Sequence, residues 1–490
     1  MKKLLLGILG LGLLLAGCQE PVEPVVQKIA GPKLVSCDPA DGAQGLTGSQ
    51  LTVKMTCDQN IKCPSDKQAL ISIDGEASIG NINAYMTDLT IKVSGLEGGE
   101  SYILTVPAGT VQGYRPNQEG SEEVKFTFSM KEIIDYVLEP EVVLVNPKAS
   151  KEARNVYNFL LEQSGKKTLS GVQSSHSHKN DFIDAVYKHT GKHPALAGYD
   201  FLFLQFSPTP DNWSWVQNYN DISAPKEQWA ANGLVNYMWH WNVPNSKADW
   251  DNGVNNYNFD GYAFYCDQTS FDIREALKEG TWQHDFIMKD IEEVAGYLQL
   301  LENENIPVIW RPLHEAAGNY NLYGPNGAWF WWGRHGAEPC KQLWRLLYDQ
   351  LVNVYGLDNL IWVWTVDVTK GAEDQYLDWY PGDEYVDILG VDIYETNTEA
   401  KTRQYQAMVD MTKGKKLVTV SECGNIPDPA KCMAAGNKWS WFMVWCNSDS
   451  NGNIVLTPSD GNFNLNTGEY WKQVMSSPYV MTRESMPSLK

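Results

Sequence analysis

Eight short apolar segments recur along residues 140–490 of this chain, at 168–174, 194–201, 234–241, 307–315, 359–367, 386–394, 416–424 and 439–446. Each reads as a near-continuous hydrophobic run, as a strand covered on both faces does. Helical or loop stretches separate them, and two of these, 290–304 and 341–354, carry apolar residues at helical spacing. Strands alternating with helices make a parallel sheet, and eight repeats close it into a (β/α)8 TIM barrel of the α/β class. A doubly wound open sheet is the competing architecture, but the chain has no G-x-G-x-x-G or Walker-type loop to support it.

The tryptophans divide the chain. All 19 lie between Trp213 and Trp471, and the first 212 residues contain none. Residues 32–131 instead read as short alternating strands at 50–55, 69–73, 89–93, 102–106 and 124–128, broken by Gly, Asn and Asp. That spacing suits a small antiparallel sandwich. Its opening, Pro39-Ala40-Asp41-Gly42-Ala43, resembles bacterial Ig-like modules. With no Trp and few aromatics to stack on sugars, this domain reads as a spacer rather than a glycan-binding module.

The N-terminus reads as a targeting segment. Lys2 and Lys3 precede an apolar stretch too short for a permanent transmembrane helix, and Leu15-Ala16-Gly17-Cys18 follows. The last four residues resemble a bacterial lipobox. This implies a signal peptide over 1–17, lipidation of Cys18 and a linker over 18–31. The body would then be held to the bacterial envelope by a lipid anchor only, at the outer membrane on its surface or periplasmic face. Beyond Cys18, eight of the nine cysteines remain, three early and five late, without the spacing of a zinc site. A Cys57–Cys63 loop is one pairing the spacing allows. The net charge of −21 disfavours nucleic acid, anionic lipid surfaces and acidic polysaccharides as partners, and is indifferent to a neutral polysaccharide.

The chemistry-bearing residues sit at segment ends. Trp310-Arg311-Pro312-Leu313-His314-Glu315 closes the fourth segment on a carboxylate, and Leu417-Val418-Thr419-Val420-Ser421-Glu422 closes the seventh on another. C-terminal strand ends are where a parallel barrel presents its working groups. The two glutamates are 107 residues apart, three βα units. Glu315 shares parity with Arg311 and Leu313, and Glu422 with Val418 and Val420; if those residues point inward, both carboxylates face the barrel mouth. Behind Glu315 stands Trp329-Phe330-Trp331-Trp332-Gly333. Paired carboxylates beside clustered rings suit cleavage of a glycosidic bond, because carboxylates serve as acid/base and nucleophile while flat rings stack on sugar faces. The long segment 242–281, rich in Asn, Asp, Tyr and Trp, is expected to form a cleft wall.

The run from Arg311 to Glu315, with Trp329 to Gly333 behind it, resembles glycoside hydrolase family 26, chiefly β-mannanases; His314 before the glutamate is characteristic. The likeness covers the whole barrel. It implies a retaining endo-β-1,4-mannanase acting on mannan or galactomannan by double displacement, with Glu315 as acid/base and Glu422 as nucleophile, and with no cofactor or metal. By the same resemblance Tyr394 contacts the nucleophile, His240 and His314 lie at the subsite of bond cleavage, Trp445 is the platform under that sugar, and Trp329 stacks on the leaving-group side. Arg311 and Asp392 are expected to support the glutamates from behind. Two departures stand out: Ala316-Ala317 replaces the family's Met-Asn, and about nine extra residues near 319–326 precede Trp329. They bear on the leaving-group sugars rather than on the bond-breaking groups.

Other readings use some of the same residues. His176-Ser177-His178 after the first segment, with His240 and His314, is compatible with a metal-dependent hydrolase barrel, although the eighth segment ends Trp445-Cys446-Asn447 without the aspartate such barrels use. A non-catalytic glycan-binding lipoprotein is a further alternative, disfavoured by the presence of both glutamates. Within the family, mannobiose-releasing exo-mannanase, lichenase and xylanase specificities remain open. Asp449-Ser450-Asn451-Gly452-Asn453 faintly resembles a calcium loop and reads more simply as a turn. A monomer is expected.

Overall fold

The structure is a computed structural model that describes residues 28–46, 48–131, 136–174, 179–202, 204–206, 218–317, 329–367, 376–445, 447–448, 454–455 and 465–490. The segment read as a signal peptide, Cys18, His176, His178, the extra residues at 319–326, Cys446 and residues 449–453 lie outside the described residues. The chain divides into two units, Met1–Ile134 and Asp135–Lys490.

The first unit is a sandwich of two four-stranded sheets. One sheet runs β1 (Leu34–Asp38), β3 (Gln50–Cys57), β6 (Asp88–Ser94), β5 (Ser78–Tyr85); the other runs β2 (Ala43–Leu46), β8 (Val124–Met130), β7 (Ser101–Val106), β4 (Ser72–Ile73). Alternation makes the core: Val53, Met55, Leu89, Ile91 and Val93 from one sheet meet Tyr102, Leu104, Val106, Phe126 and Phe128 from the other. The segment 69–73 yields a strand only at Ser72–Ile73, because a helical turn at Ser65–Gln68 runs up to it. The strand Ser78–Tyr85 escaped the pattern because it is a polar edge whose register slips between Ile79 and Ile82. Asp41 ties the opening turn to β8 by accepting from the Thr127 backbone at 2.7 Å and hydroxyl at 2.9 Å. Cys57 and Cys63 are both buried free thiols, not joined to each other.

The second unit is a closed parallel barrel. Its strands are β9 (Thr168–Gln173), β10 (Leu196–Asp200), β11 (Leu234–Met238), β14 (Val308–Arg311), β15 (Leu360–Asp367), β16 (Ile388–Ile393), β17 (Leu417–Cys423) and β18 (Trp441–Val444). Each pairs in parallel with the next, and β9 closes the ring by pairing with both β18 and β10. All eight apolar segments became strands. A small antiparallel pair, β12 (Val243–Pro244) and β13 (Tyr262–Ala263), lies within the 242–281 segment. The long helix Trp282–Asn303 begins earlier than its amphipathic stretch suggested, capped by Thr281, which accepts from the His284 backbone at 3.1 Å. Asp290 hides the inner stripe: it is polar, yet it faces Trp241 and accepts from the indole N–H at 2.8 Å.

Strand ends differ from the sequence reading in two places that matter for the site. β14 stops at Arg311, since Pro312 has no N–H to donate and Leu313 turns left-handed (φ 49°); Glu315 (φ 56°) sits on the turn beyond, its N–H on Thr365 O at 3.2 Å. In β17, Val420 does not point into the barrel: it lines a small cavity with Pro429 and Cys432 of the outer helix. The inward residue is Ser421, whose hydroxyl donates to Asp392 at 2.7 Å. The register with β16 then slips, Val420 pairing with Val391 but Glu422 with Asp392. This bulge adds one residue and swings Glu422 inward. Val418 and Val420 were the wrong guides to a correct orientation.

Candidate active site

The mouth of the barrel gathers acidic strand ends around one arginine. Arg311, fully buried, donates from Nη1 to Asp392 Oδ2 at 2.7 Å and from Nη2 to Glu422 Oε2 at 2.6 Å. Tyr394, just past β16, donates its hydroxyl to Glu422 Oε1. Both Glu422 oxygens therefore accept hydrogen bonds and its orientation is fixed. Gly390 makes room beneath: a Cβ there would lie 2.5 Å from Ser421 Oγ and 2.6 Å from Thr365 Oγ1, within the layer that carries Asp392.

Glu315 differs from its neighbours. Oxygens of Glu315, Asp392 and Glu422 all lie within 4.8 Å of one another, but the guanidinium bonds only the latter two. Burial raises the Glu315 carboxyl well above the ordinary carboxylate value, and Asp392, Asp367 and Glu422 push in the same direction against Arg311. Three carboxyls share one positive charge, so the proton settles on the one without the arginine. Glu315 as a residue is half-buried. For Asp392 too, burial raises the carboxyl, opposed by Arg311. The three carboxylates are the grouping that could hold a metal ion among the described residues, but Arg311 already occupies the cation's place between two of them.

The sugar-binding candidates form one aromatic wall. The His240 ring stands 4.6 Å from His314, 5.7 Å from Trp445 and 5.5 Å from Phe330, each edge to face. His314 is held neutral by burial, with Arg311 and His240 adding to the effect. In the run after Glu315, Trp331 and Trp332 are fully buried struts: their indole N–H groups donate to Trp241 O at 2.7 Å and His314 O at 3.0 Å. Trp329, 41% exposed, is the ring of that run open to a ligand. The segment 242–281 does wall the mouth. Phe264 packs on His240 at 5.2 Å, Cys266 N–H donates to Trp329 O at 2.7 Å, and burial together with the Glu315 charge raises the Tyr265 phenol.

Sequence reasoning passed over Asp200, Asp367, Tyr265 and Phe330. Asp200 and Asp367 close β10 and β15 as carboxylates, the same signal that marked Glu315 and Glu422. Tyr265 and Phe330 are joined by an isolated bridge between two loops, which no local pattern announces.

A closed parallel barrel with two glutamates a few ångströms apart at its C-terminal mouth, ringed by aromatics, has the architecture of a glycosidase. Residues 145–457 match the sequence profile of Glycosyl hydrolase family 26, and residues 28–130 that of a Bacterial Ig-like domain. The chain belongs to glycosyl hydrolase family 26. It is 34% identical over 352 residues to mannan endo-1,4-beta-mannosidase B of Piromyces sp, covering 70% of this chain but only 54% of that relative's length. Among solved structures it resembles the family 26 domain of an endo-beta-mannanase/endo-beta-glucanase from Prevotella bryantii, with TM-score 0.59 and 32% identity over 71% of this chain and 99% of that one. It also resembles a beta-mannanase from a symbiotic protist of the termite Reticulitermes speratus, complexed with gluco-manno-oligosaccharide, with TM-score 0.58 and 31% identity over 72% and 99% of the two chains.

Proposed function

We propose that the barrel is a retaining endo-β-1,4-mannanase in which Glu315 is the acid/base and Glu422 the nucleophile. The observation that carries this reading is the pair itself: their carboxyl oxygens approach within 4.8 Å. Retaining glycosidases hold their carboxyl groups about 5–5.5 Å apart, and inverting ones roughly 6.5–9.5 Å apart to admit a water. The proton asymmetry fits the division of labour. Glu422 attacks the anomeric carbon as the glycosidic C–O bond breaks, and Glu315 gives its proton to the departing oxygen. A water then attacks that carbon, Glu315 takes the water's proton, and the Glu422 ester is released. Arg311 and Tyr394 hold Glu422 for the attack; Asp392 holds Arg311. His240, His314 and Trp445 form the wall for the sugar whose bond breaks, and Trp329 faces the leaving-group side.

Mannan or galactomannan as substrate is supported by the names of the relatives above. The chain's net charge of −21 suits a neutral polymer. The lipobox-like Leu15-Ala16-Gly17-Cys18 supports a lipid-anchored enzyme at the bacterial envelope, and the absence of Trp from the first 212 residues supports the Ig-like unit as spacer. No helix among the described residues is long and apolar enough to cross a membrane. The deciding experiment is a product profile on mannan, galactomannan, lichenan and xylan, with Glu422→Ala as control. Mixed manno-oligosaccharides support endo action, mannobiose alone shows exo action, and no release from mannan by the wild type overturns the substrate assignment.

A further inference from the structure

Asp200 is the last residue of β10, and its register partner on β11 is Met238, two residues before His240. That placement lets one carboxylate hold His240 twice. Oδ1 accepts the His240 backbone N–H at 3.0 Å, and Oδ2 lies 2.5 Å from ring Nδ1. Both groups are nearly buried, with side-chain exposures of 11% for His240 and 9% for Asp200. A carboxylate oxygen already ionised can only accept, so the proton between them belongs to Nδ1. The rings of Phe264, Phe330, His314 and Trp445 pack on the imidazole at interplanar angles of 62° to 79° and prevent it from turning over. Nε2 lies on the opposite edge and has no hydrogen-bond partner among the described residues.

We propose that Asp200 is a positioning residue for substrate binding: it fixes His240 as the Nδ1–H tautomer and so makes Nε2 the atom offered to a sugar hydroxyl. This rests on the reading of the mouth as a glycosidase site. In the neutral ring Nε2 then carries the lone pair and accepts a hydroxyl proton, a role the opposite tautomer cannot fill. The second hold, on the backbone, sets where the ring begins, so the Nε2 position is fixed as well as its protonation. Trp445 and His314 both stand against the same ring, and His314 directly precedes Glu315, which places this acceptor at the sugar next to the glutamates.

Asp200→Asn provides the test, because a carboxamide has one acceptor and one donor. Its oxygen keeps the His240 backbone N–H, and its NH2 then faces Nδ1 and can only donate. The ring proton must move to Nε2, as in the serine-protease triad when the buried aspartate becomes asparagine. Long-range 15N–1H spectra of the full chain labelled at histidine should show His240 protonated at Nδ1 in the wild type and at Nε2 in Asp200→Asn. The variant should retain its melting temperature and lose about 10- to 100-fold in kcat/KM on mannan. In a His240→Ala background the same substitution should cost less than about twofold, since Asp200 then has no ring to orient. A wild-type His240 protonated at Nε2, or an undiminished cost in the His240→Ala background, overturns the proposal. A wild-type chain that cleaves no polysaccharide overturns the proposed function instead, and the ring spectra still decide the role of Asp200.

Discussion

Nη2 of Arg311 donates to Oε2 of Glu422 across 2.6 Å in a position where the arginine has no solvent exposure. The same guanidinium holds Asp392 at 2.7 Å, so one side chain serves two buried carboxylates. Removing a partner from such a group leaves uncompensated charge, at a cost of about 3–5 kcal/mol. Arg311→Met should therefore lower the denaturation midpoint sharply. Arg311→Lys keeps the charge, but an ammonium lacks the planar fork that spans two acceptors. It should fold and lose on the order of 100-fold in kcat, through misorientation of Glu422, with a smaller change in KM. Wild-type kcat in Arg311→Lys would show that the fork is not needed.

As the proposed acid, Glu315 is protonated when the glycosidic bond breaks, so activity should be lost as pH rises through its raised pKa. Asp367 is one of the charges that raise it. Asp367→Asn removes that charge, and the alkaline limb of kcat/KM should move to lower pH. A limb that stays put, or moves up, would show that another group sets it. Asp392→Asn is a poorer probe, because it also strips Arg311 of a partner.

The barrel was legible because its strands are buried on both faces, and such runs need no partner in sequence to be seen. The sandwich was less so: in Ser78–Tyr85 the slip between Ile79 and Ile82 breaks the alternation of the apolar face, and the strand pairs only at an edge. At the site, the glutamates stood out as acids ending apolar runs, yet the reason Glu422 points inward was invisible. A bulge is a misfit between two strands, β16 and β17, and neither strand alone encodes it. Asp200 was readable by the same rule that found Glu315 and Glu422. It was passed over because nothing local links it to His240, 40 residues on. The run Trp329 to Trp332 advertised four rings, but only the fold could sort one exposed platform from buried struts.

Trp445 and Trp329 should separate by substrate. Trp445 is half-buried, 5.7 Å from the His240 ring, with its backbone N–H on Cys423 O at 3.1 Å. If it is the proposed platform for the sugar whose bond breaks, Trp445→Ala should lower kcat/KM about 100-fold on every substrate, as loss of a central aromatic anchor does. Trp329 is exposed and rests on the 242–281 segment. Trp329→Ala should lower kcat/KM on mannan about tenfold, and leave hydrolysis of an aryl mannobioside, which has no leaving-group sugar to stack, within about twofold. Equal losses on both substrates would move Trp329 to the other side of the bond.

The proposed lipidation of Cys18 predicts a sorting phenotype. In a bacterial host the wild-type chain should incorporate labelled palmitate and fractionate with membranes. Cys18→Ser should do neither, with hydrolysis by the released chain unchanged, because every residue assigned to the barrel mouth belongs to the second unit. Membrane fractionation of Cys18→Ser without label would point to some other attachment.

Glu315 should also make the protein less stable than it could be. Its folded pKa lies above the unfolded value of about 4.3, so the folded chain holds the proton more tightly. Stability from this group is fully present below the unfolded value and is lost as pH rises through the folded one. Gln at the same position is neutral throughout. Melting temperatures of wild type and Glu315→Gln should therefore nearly coincide at about pH 4 and diverge as pH rises, the variant becoming the more stable near neutrality. The same substitution removes the proposed proton donor, so the stabilised protein should be the inactive one. A variant no more stable than wild type at neutral pH would mean that water at the open side of Glu315 already solvates its charge.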